Sequence, residues 1–344
     1  MKLFSQGLNH TASRSLHRSQ RALWIRATFT ALLLCLLPYD LLAQPALKRI
    51  QMATLTTPDL TQLEAHYGEW IGYRVRERGR ISESLARSWD APQIAGQPYV
   101  LMSSDAAPEV FIRAIQATAP TPDYRALTDH GWNAIEIIVD DPDGLRKKLE
   151  ASPFRIIGEP APLGAYPTIR AFQVVGPSGE VIYFTAETGD RSKSPLPLPN
   201  GDIGRIFIMV VAGGNIEALL DFYSTRFQLQ RNPARQMRVG VVARAQQLPD
   251  DETIGLATAR LAEHGNLIEF DGYNPARTNP RAKREGDLPA GIVGTSFAVD
   301  SLDVLDLDWI SPPTRYTGLA YPNGARAATV RGPAGELIEL IERP

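Results

Sequence analysis

Residues 176–182, GPSGEVI, recur 156 positions later as residues 332–338, GPAGELI. The same offset aligns residues 59–67, DLTQLEAHY, with residues 215–223, NIEALLDFY. Chance matches do not keep one offset across most of a half chain, and a fixed period indicates repeated structural units. The sequence therefore predicts a tandem duplication.

A segment rich in proline and serine separates the two halves. Residues 191–201, RSKSPLPLPNG, have the composition of a linker. They divide the repeated region into a first domain at residues 47–190 and a second domain at residues 202–344.

Each half contains a further pair of similar units. Residues 205–211, RIFIMVV, are typical of a strand, and residues 215–227 carry apolar side chains at helical spacing before several strand-like runs. The fourth unit is expected to have a short helix or a turn at residues 301–309. Because the helix covers one face of such a sheet, the other face must close against a partner sheet or curve into a pocket. The four units are expected at residues 47–116, 131–187, 203–272 and 291–342.

The first 43 residues resemble a secretory signal peptide. Four arginines precede an eleven-residue apolar run, Ala27–Leu37, and the small residue Ala43 follows at a cleavage position. The apolar run is shorter than the roughly 20 residues that a spanning helix needs. The sequence thus predicts a secreted or periplasmic protein, with an uncleaved N-terminal membrane anchor as the alternative.

The composition is that of a globular protein, with 44% hydrophobic and 22% charged residues among 344. Cys35 is the single cysteine and lies in the leader, so the mature chain lacks a disulfide, a cysteine-ligated zinc and a thiol nucleophile. Leader removal leaves 31 basic against 37 acidic residues, a net charge of −6. This balance predicts neither a nucleic-acid partner nor binding to an anionic membrane after cleavage. The remaining histidines, His66, His130 and His264, are few for an imidazole-rich metal site.

The run from Ile206 to Tyr223 resembles the first strand and helix of the vicinal oxygen chelate superfamily. The GPxGE turns at residues 176 and 332 resemble that family's last hairpin, and the resemblance covers about residues 47–343. It implies an α+β protein in which four βαβββ modules pair into two cupped, mostly antiparallel eight-stranded sheets around a small-molecule cavity. Glyoxalases, bleomycin-resistance proteins and extradiol dioxygenases share this architecture. Whether modules pair within each half or across the linker stays open.

The resemblance also implies where a divalent metal would bind. In the family, the first strand of each module supplies one ligand, usually histidine, and the last strand supplies another, usually glutamate. In the second half of this chain the last strands provide Glu269 and Glu339, whereas Phe207 and Gly294 stand at the first-strand positions. Two of four expected ligands are therefore present.

Glu269 and Glu339 need a compensating charge if they share one cup, because adjacent like charges raise one pKa. The candidates are a divalent ion or an arginine such as Arg205 or Arg326. Two carboxylates suit Mg²⁺, Mn²⁺ or Ca²⁺, with Fe²⁺ as a further possibility. A plain salt bridge between a glutamate and a neighbouring arginine is the alternative.

The first half keeps no convincing metal ligand. Its equivalent positions are Gln51, Arg113, Ala134 and Tyr183. A guanidinium has no lone pair to offer and repels a cation. We therefore expect this half to be metal-free, as a structural partner or a binding cup.

Alternation along residues 205–211 predicts which side chains line the cup. The even-numbered positions suit the helix-covered face, which leaves Arg205, Phe207 and Met209 toward the cup.

Three functions remain open, and the sequence ranks them in the following order. The first is a metal-free binder of a small organic molecule. The second is a divalent-metal lyase, isomerase or dioxygenase that uses Glu269 and Glu339 as ligands. The third is an interaction module whose cups are filled by side chains. In the first function, the cup-lining candidates are Arg205, Phe207, Met209, Gly294, Gln51, Arg113 and Tyr183.

Overall fold

The computed structural model describes residues 44–117, 124–164 and 166–343. The predicted leader, residues 1–43, lies outside the described residues.

Four modules follow one another along the chain. The first contains β1 (Ile50–Thr57), α1 (Leu60–Ile71), β2 (Arg74–Arg80), α2 (Glu83–Ser88), β3 (Pro98–Ser103) and β4 (Phe111–Gln116). The second contains β5 (Gly131–Val139), α3 (Pro142–Leu149), β6 (Arg155–Leu163), β7 (Tyr166–Val175) and β8 (Val181–Glu187). The third contains β9 (Ile203–Gly213), α4 (Ile216–Phe227), β10 (Arg235–Met237), α5 (Gly240–Gln246), β11 (Ile254–Arg260) and β12 (Leu267–Gly272). The fourth contains β13 (Gly291–Val299), β14 (Thr314–Arg315), β15 (Arg326–Arg331) and β16 (Leu337–Glu342).

The four predicted modules are confirmed in their positions, and their helices begin at repeated caps. Asp59 accepts a hydrogen bond from the Gln62 amide at 2.9 Å, and Asn215 accepts one from the Ala218 amide at 3.1 Å. These side chains satisfy amides that the first turn of a helix leaves free. In the fourth module, residues 301–309 form turns and irregular backbone rather than a helix.

The modules pair across the linker. Within the described residues, the first sheet has the strand order β14-β15-β16-β13-β1-β4-β3-β2, and the second has the order β10-β11-β12-β9-β5-β8-β7-β6. The central contacts, β1 with β13 and β5 with β9, are antiparallel. Each sheet therefore combines one module from each half of the chain, which decides the question that the sequence left open.

Buried apolar side chains form three groups. The central core joins the helix-covered faces of both sheets and includes Tyr67 of α1, Tyr223 of α4 and Trp132 of β5. The other face of the first sheet, called the first cup here, carries a separate group that includes Trp89 and Tyr321. The other face of the second sheet, called the second cup, carries a third group packed against α5.

The repeated GPxGE turns fold back on their own glutamates. The Gly176 amide donates to the Glu180 carbonyl at 2.7 Å, and Gly179 has a φ of 84°. A Cβ on Gly176 would lie 2.0 Å from Glu180 Oε1, so only glycine leaves room for the carboxylate. The Ser178 amide donates to Glu180 Oε2 at 2.8 Å. The motif thus holds a carboxylate inside the hairpin.

Each of these glutamates then binds a helix of the opposite sheet. Tyr67 Oη of α1 donates to Glu180 Oε1 at 2.7 Å, and Tyr223 Oη of α4 donates to Glu336 Oε1 at 3.1 Å. Burial raises the pKa of both glutamates to about 7. The repeated motif therefore provides two equivalent tyrosine–glutamate hydrogen bonds that link the two sheets.

Among the residues that the structure describes, no helix has the length and apolarity needed to cross a membrane.

Candidate functional site

A buried arginine, Arg113, lies at the centre of the first cup. It pairs with Thr54 across β1 and β4, and its Nε donates to Thr54 Oγ1 at 3.0 Å. Its terminal nitrogens donate to Tyr321 Oη at 2.8 Å and to Glu339 Oε2 at 3.1 Å. The guanidinium carbon lies 4.4 Å from the ring centre of Trp89. Protein groups therefore surround this cation on several sides.

Glu339 receives hydrogen bonds on both of its oxygens. Tyr321 Oη donates to Oε1 at 2.9 Å, and Ser296 Oγ donates to Oε2. The Arg113 and Glu339 side chains are only 3% and 4% exposed. Burial opposes the charge of Arg113, but Glu339 and Tyr321 raise the pKa of the guanidinium above its ordinary value. The arrangement is a buried ion pair with its hydrogen bonds made, the condition under which such a pair is tolerated.

The first cup does not fit the metal that the family resemblance implies. Its family-equivalent positions are Gln51, Arg113, Gly294 and Glu339, of which one is a carboxylate. The oxygens of that carboxylate are already engaged, and Arg113 brings a positive charge to the place of a ligand. The apolar side chains of the first cup include Met52, Leu85, Trp89, Phe111, Ile115 and Tyr316.

Glu269 lies in the other sheet. It is on β12 of the second sheet, whereas Glu339 is on β16 of the first. The expectation that both would converge in one bowl is wrong, because the third module pairs with the second and not with the fourth. The two glutamates therefore cannot bind one shared ion.

The second cup holds three carboxylates. Glu136 lies on β5, and Glu269 and Asp271 lie on β12. Glu136 Oε2 accepts a hydrogen bond from Thr185 Oγ1 at 3.1 Å, whereas Asp271 Oδ1 is buried without a partner. Among the described residues, no lysine or arginine forms an ion pair with any of the three. The second cup therefore carries acidic groups without a cation.

Burial shifts the pKa of all three acids upward. Burial raises the pKa of Glu136 well above its ordinary value, and the nearby Glu269 adds to the rise. Burial raises the pKa of Glu269 to about 7. For Asp271, burial comes first and repulsion by Glu269 and Glu136 comes second, and together they raise its pKa well above the ordinary value. Burial therefore favours the protonated form of all three groups, and Glu269 titrates near neutral pH.

Two tyrosines complete the polar part of the second cup. Tyr183 of β8 is 8% exposed, and Tyr273, which follows β12, is 2% exposed. The Tyr273 hydroxyl is buried without a hydrogen-bond partner and feels the charge of Asp271. Glu269 keeps some exposure to solvent. The apolar part of the lining includes Ala134, Phe207, Ile208, Val210, Val241 and Val242.

A β-bulge changes the predicted lining along β9. Glu136 pairs with Ile208 and Ile137 pairs with Ile206, so Phe207 is an extra residue on β9. Phe207 lies in the second cup as expected. Beyond the bulge the alternation is reversed: Met209 faces the central core, and Ile208 lies in the cup. The prediction that Met209 lines the cup is wrong for this reason.

The equivalent residue of β1 is also bulged. Ile50 pairs with Phe297 and Met52 with Ser296, which leaves Gln51 as the extra residue, with its buried Oε1 unpartnered. Gly294 pairs with Thr54, so it lies next to the Arg113 network.

The two arginines proposed as counter-charges have other partners. Arg205 donates to the carbonyls of Ile206 and Gly265 and to Asn266 Oδ1. Arg326 forms salt bridges with Asp303 at 2.6 Å and Glu342 at 3.1 Å. The counter-charge of Glu339 is Arg113, which the sequence predicted as a cup-lining residue at a lost ligand position but not as the partner of Glu339.

Sequence reasoning missed Glu136 and Asp271. Each lies two residues along a strand from a position that was considered, Ala134 and Glu269, and residues two apart face the same side of a strand. A search for acidic residues two positions away from the expected metal-ligand positions on each strand finds both.

Two solved structures are similar to this chain over most of its length. Glyoxalase I from Zea mays is 15% identical and aligns over 86% of this chain and 92% of its own, with a TM-score of 0.55. A putative dioxygenase from Bacillus subtilis is 12% identical and aligns over 88% of this chain and 87% of its own, with a TM-score of 0.58. No family model matches the chain, and no curated protein matches it in sequence.

At such identities the likeness is one of fold, and it agrees with the four modules and two eight-stranded sheets described above. The chain therefore has the fold of these two solved structures, with four modules paired into two eight-stranded sheets.

Proposed function

We propose that the protein binds a small organic cation of the guanidinium or ammonium class in the second cup. The observation that carries this proposal is the presence of Glu136, Glu269 and Asp271 on one buried face without a basic partner among the described residues. Buried charges are ordinarily paired. A ligand that brings its own positive charge satisfies them.

The internal repeat supports the guanidinium class. Arg113 pairs with Thr54 across β1 and β4, as Glu269 pairs with Val210 across β9 and β12. The position that supplies a cation in the first cup therefore supplies an anion in the second. The first cup contains its own guanidinium, and the second cup has the carboxylate that would receive one.

A second pair of equivalent positions also makes the second cup more acidic than the first. Glu339 pairs with Ser296 in the first sheet, as Tyr183 pairs with Glu136 in the second. A serine hydroxyl is thus replaced by a carboxylate, and the tyrosine ring offers a face for a cation.

The spacing favours an extended cation over a bare ion. Glu136 and Glu269 lie on β5 and β12, which are separated by β9, and this puts their backbones roughly 10 Å apart. A planar guanidinium has five N–H donors that point outward in several directions. A guanidinium can therefore donate hydrogen bonds to two carboxylates that are too far apart to bind one small ion.

Calorimetric titration with butylguanidinium tests the proposal, with butylurea as the uncharged ligand of the same shape. We expect butylguanidinium to bind and butylurea to bind at least about tenfold more weakly, because a charge-assisted hydrogen bond contributes about 1.5–3 kcal/mol. Glu136→Gln and Glu269→Gln are each expected to weaken butylguanidinium binding by about tenfold or more.

Glu69→Gln serves as the matched control, because Glu69 is an exposed residue of α1. It is expected to leave binding unchanged. Equal binding of the two ligands, or affinities of the two cup variants that match the control, would overturn the proposed cation site.

We also propose that the N-terminal 43 residues direct export, on the strength of their charge and apolar pattern. Expression of the full chain, cell fractionation and mass measurement of the recovered protein test this. We expect a mature form that begins near Gln44 in the exported fraction. Recovery of the uncleaved chain in the cytoplasm contradicts export.

A further inference from the structure

A second, chemically opposite site lies at the border of the first cup, which contributes Trp89, Leu288 and Leu337 to its lining. A cavity of about 130 Å³ lies where β13 and β16 begin, beside the start of β5 and under residues 280–289. The side chains of Trp89, Trp132, Leu288 and Leu337 supply apolar walls. Arg281, Lys283 and Arg331 bring positive charge to the same lining.

Arg281 is held in place by neutral groups. Its Nη2 donates to the Trp132 carbonyl at 2.7 Å, and its Nη1 donates to the Ile292 carbonyl. The guanidinium also lies 5.0 Å from the ring centre of Tyr124. Its Nε is buried without a hydrogen-bond partner. Among the described residues no carboxylate forms an ion pair with Arg281, so its charge remains available to a ligand.

Lys283 and Arg331 share one carboxylate. Lys283 Nζ lies 3.4 Å from Asp90 Oδ2, and Arg331 Nη2 lies 3.1 Å from the same oxygen. Asp287 also lines the cavity, and its Oδ1 accepts a hydrogen bond from the Leu288 amide at 2.8 Å. Three cations therefore face two aspartates at this site.

The other two titratable groups of the lining are His130 and Glu336, and the pKa of each is shifted toward the neutral form. Burial lowers the pKa of His130, whose Nε2 lies 2.9 Å from Thr278 Oγ1. Burial raises the pKa of Glu336 to about 7, and this carboxyl accepts a hydrogen bond from Tyr223. The cavity is thus apolar on its walls and cationic at its rim.

We propose that this cavity binds a small aromatic carboxylate, with its ring between the apolar walls and its carboxylate toward Arg281, Lys283 and Arg331. An apolar protein cavity of about 150 Å³ holds a benzene ring, so in this cavity of about 130 Å³ the ring would fill the apolar part and the carboxylate would lie toward the open side. Arginine and lysine donors form strong, charge-assisted hydrogen bonds to carboxylates.

Benzoate is the probe, and uncharged benzamide is the control ligand of similar shape. Binding is measured by calorimetry and by tryptophan fluorescence, because Trp89 and Trp132 line the cavity. We expect benzoate to bind and to change the fluorescence, and benzamide to bind at least about tenfold more weakly.

The variant Lys283→Ala/Arg331→Ala changes side chains that are 30% and 37% exposed, so the fold is expected to tolerate it. It is expected to weaken benzoate binding by about tenfold or more. Lys147→Ala/Arg235→Ala, at exposed positions, is the matched control and should bind normally. Asp271→Asn in the second cup should also bind benzoate normally, which separates this site from the cation site. Failure of benzoate to bind, or equal affinity in the Lys283/Arg331 variant and its control, overturns the proposal.

Discussion

Replacement of Arg113 by alanine is expected to destabilise the protein by about 3–5 kcal/mol, because Glu339 is then left buried without its cation. The change also removes the hydrogen bonds to Thr54 and Tyr321 and the contact with the Trp89 ring. Urea denaturation at pH 7 measures the effect.

A double variant separates the ion pair from simple packing. Arg113→Met/Glu339→Gln removes both charges and keeps an amide for Tyr321 and Ser296, so its loss of stability should be much smaller than that of Arg113→Ala. Arg235→Ala, at an exposed arginine, should change stability by no more than about 0.5 kcal/mol. A cost below about 1 kcal/mol for Arg113→Ala contradicts the assignment of Arg113 as the counter-charge of Glu339.

The free energy of unfolding is expected to fall as the pH rises from 5 to 8. Glu136, Glu269 and Asp271 have raised pKa values in the folded state, so they keep protons that the unfolded chain has already released. Their stabilising effect is complete below the unfolded pKa and is lost as the pH rises toward the folded pKa. Each such group contributes a slope of up to about 1.4 kcal/mol per pH unit.

Other titratable groups also contribute to the pH dependence of the free energy of unfolding. Glu180 and Glu336, with pKa values of about 7, add to the same trend. His130 has a lowered pKa and opposes it near pH 6. Surface acids whose arginine partners lower their pKa, such as Asp143, lose their effect only below about pH 4.

Asp271→Asn isolates the contribution of the second cup. At pH 7 we expect this variant to be more stable than the natural protein, and the gain should vanish near pH 4, where the unfolded aspartate is itself protonated. Asp251→Asn, at an exposed position, is the control and should change the free energy of unfolding at pH 7 by no more than about 0.5 kcal/mol. A variant that is less stable than the natural protein at every pH contradicts the account of Asp271.

The positions of the modules were predictable because the sequence repeats at a fixed offset of 156 residues and carries the same turn motif in both halves. The GPxGE turns at residues 176 and 332 marked the last hairpin in both halves, and both turns hold a buried glutamate in the structure. The pairing of modules was not predictable in the same way. The strands β1, β5, β9 and β13 are all buried over nearly their whole length and all mix apolar with polar residues, so composition does not distinguish a partner within a half from one across the linker.

The candidate site was less predictable because two local features decide it. One extra residue at Phe207 reverses the alternation beyond it, and sequence alternation alone does not reveal a bulge. From the sequence, Arg113 stands at a metal-ligand position where a guanidinium cannot bind a metal. Its role in the fold depends instead on Glu339, which is 226 residues away along the chain. Only the pairing of the fourth module with the first brings the two together.

We expect a cation that binds in the second cup to displace protons from its buried carboxyls, because burial raises their pKa values. Titration of butylguanidinium at pH 6.5 in two buffers of different ionisation enthalpy measures this directly, because protons released on binding add the heat of buffer protonation. We expect release of about one proton per ligand in the natural protein and clearly less in Asp271→Asn. A binding heat that is the same in both buffers would contradict the account.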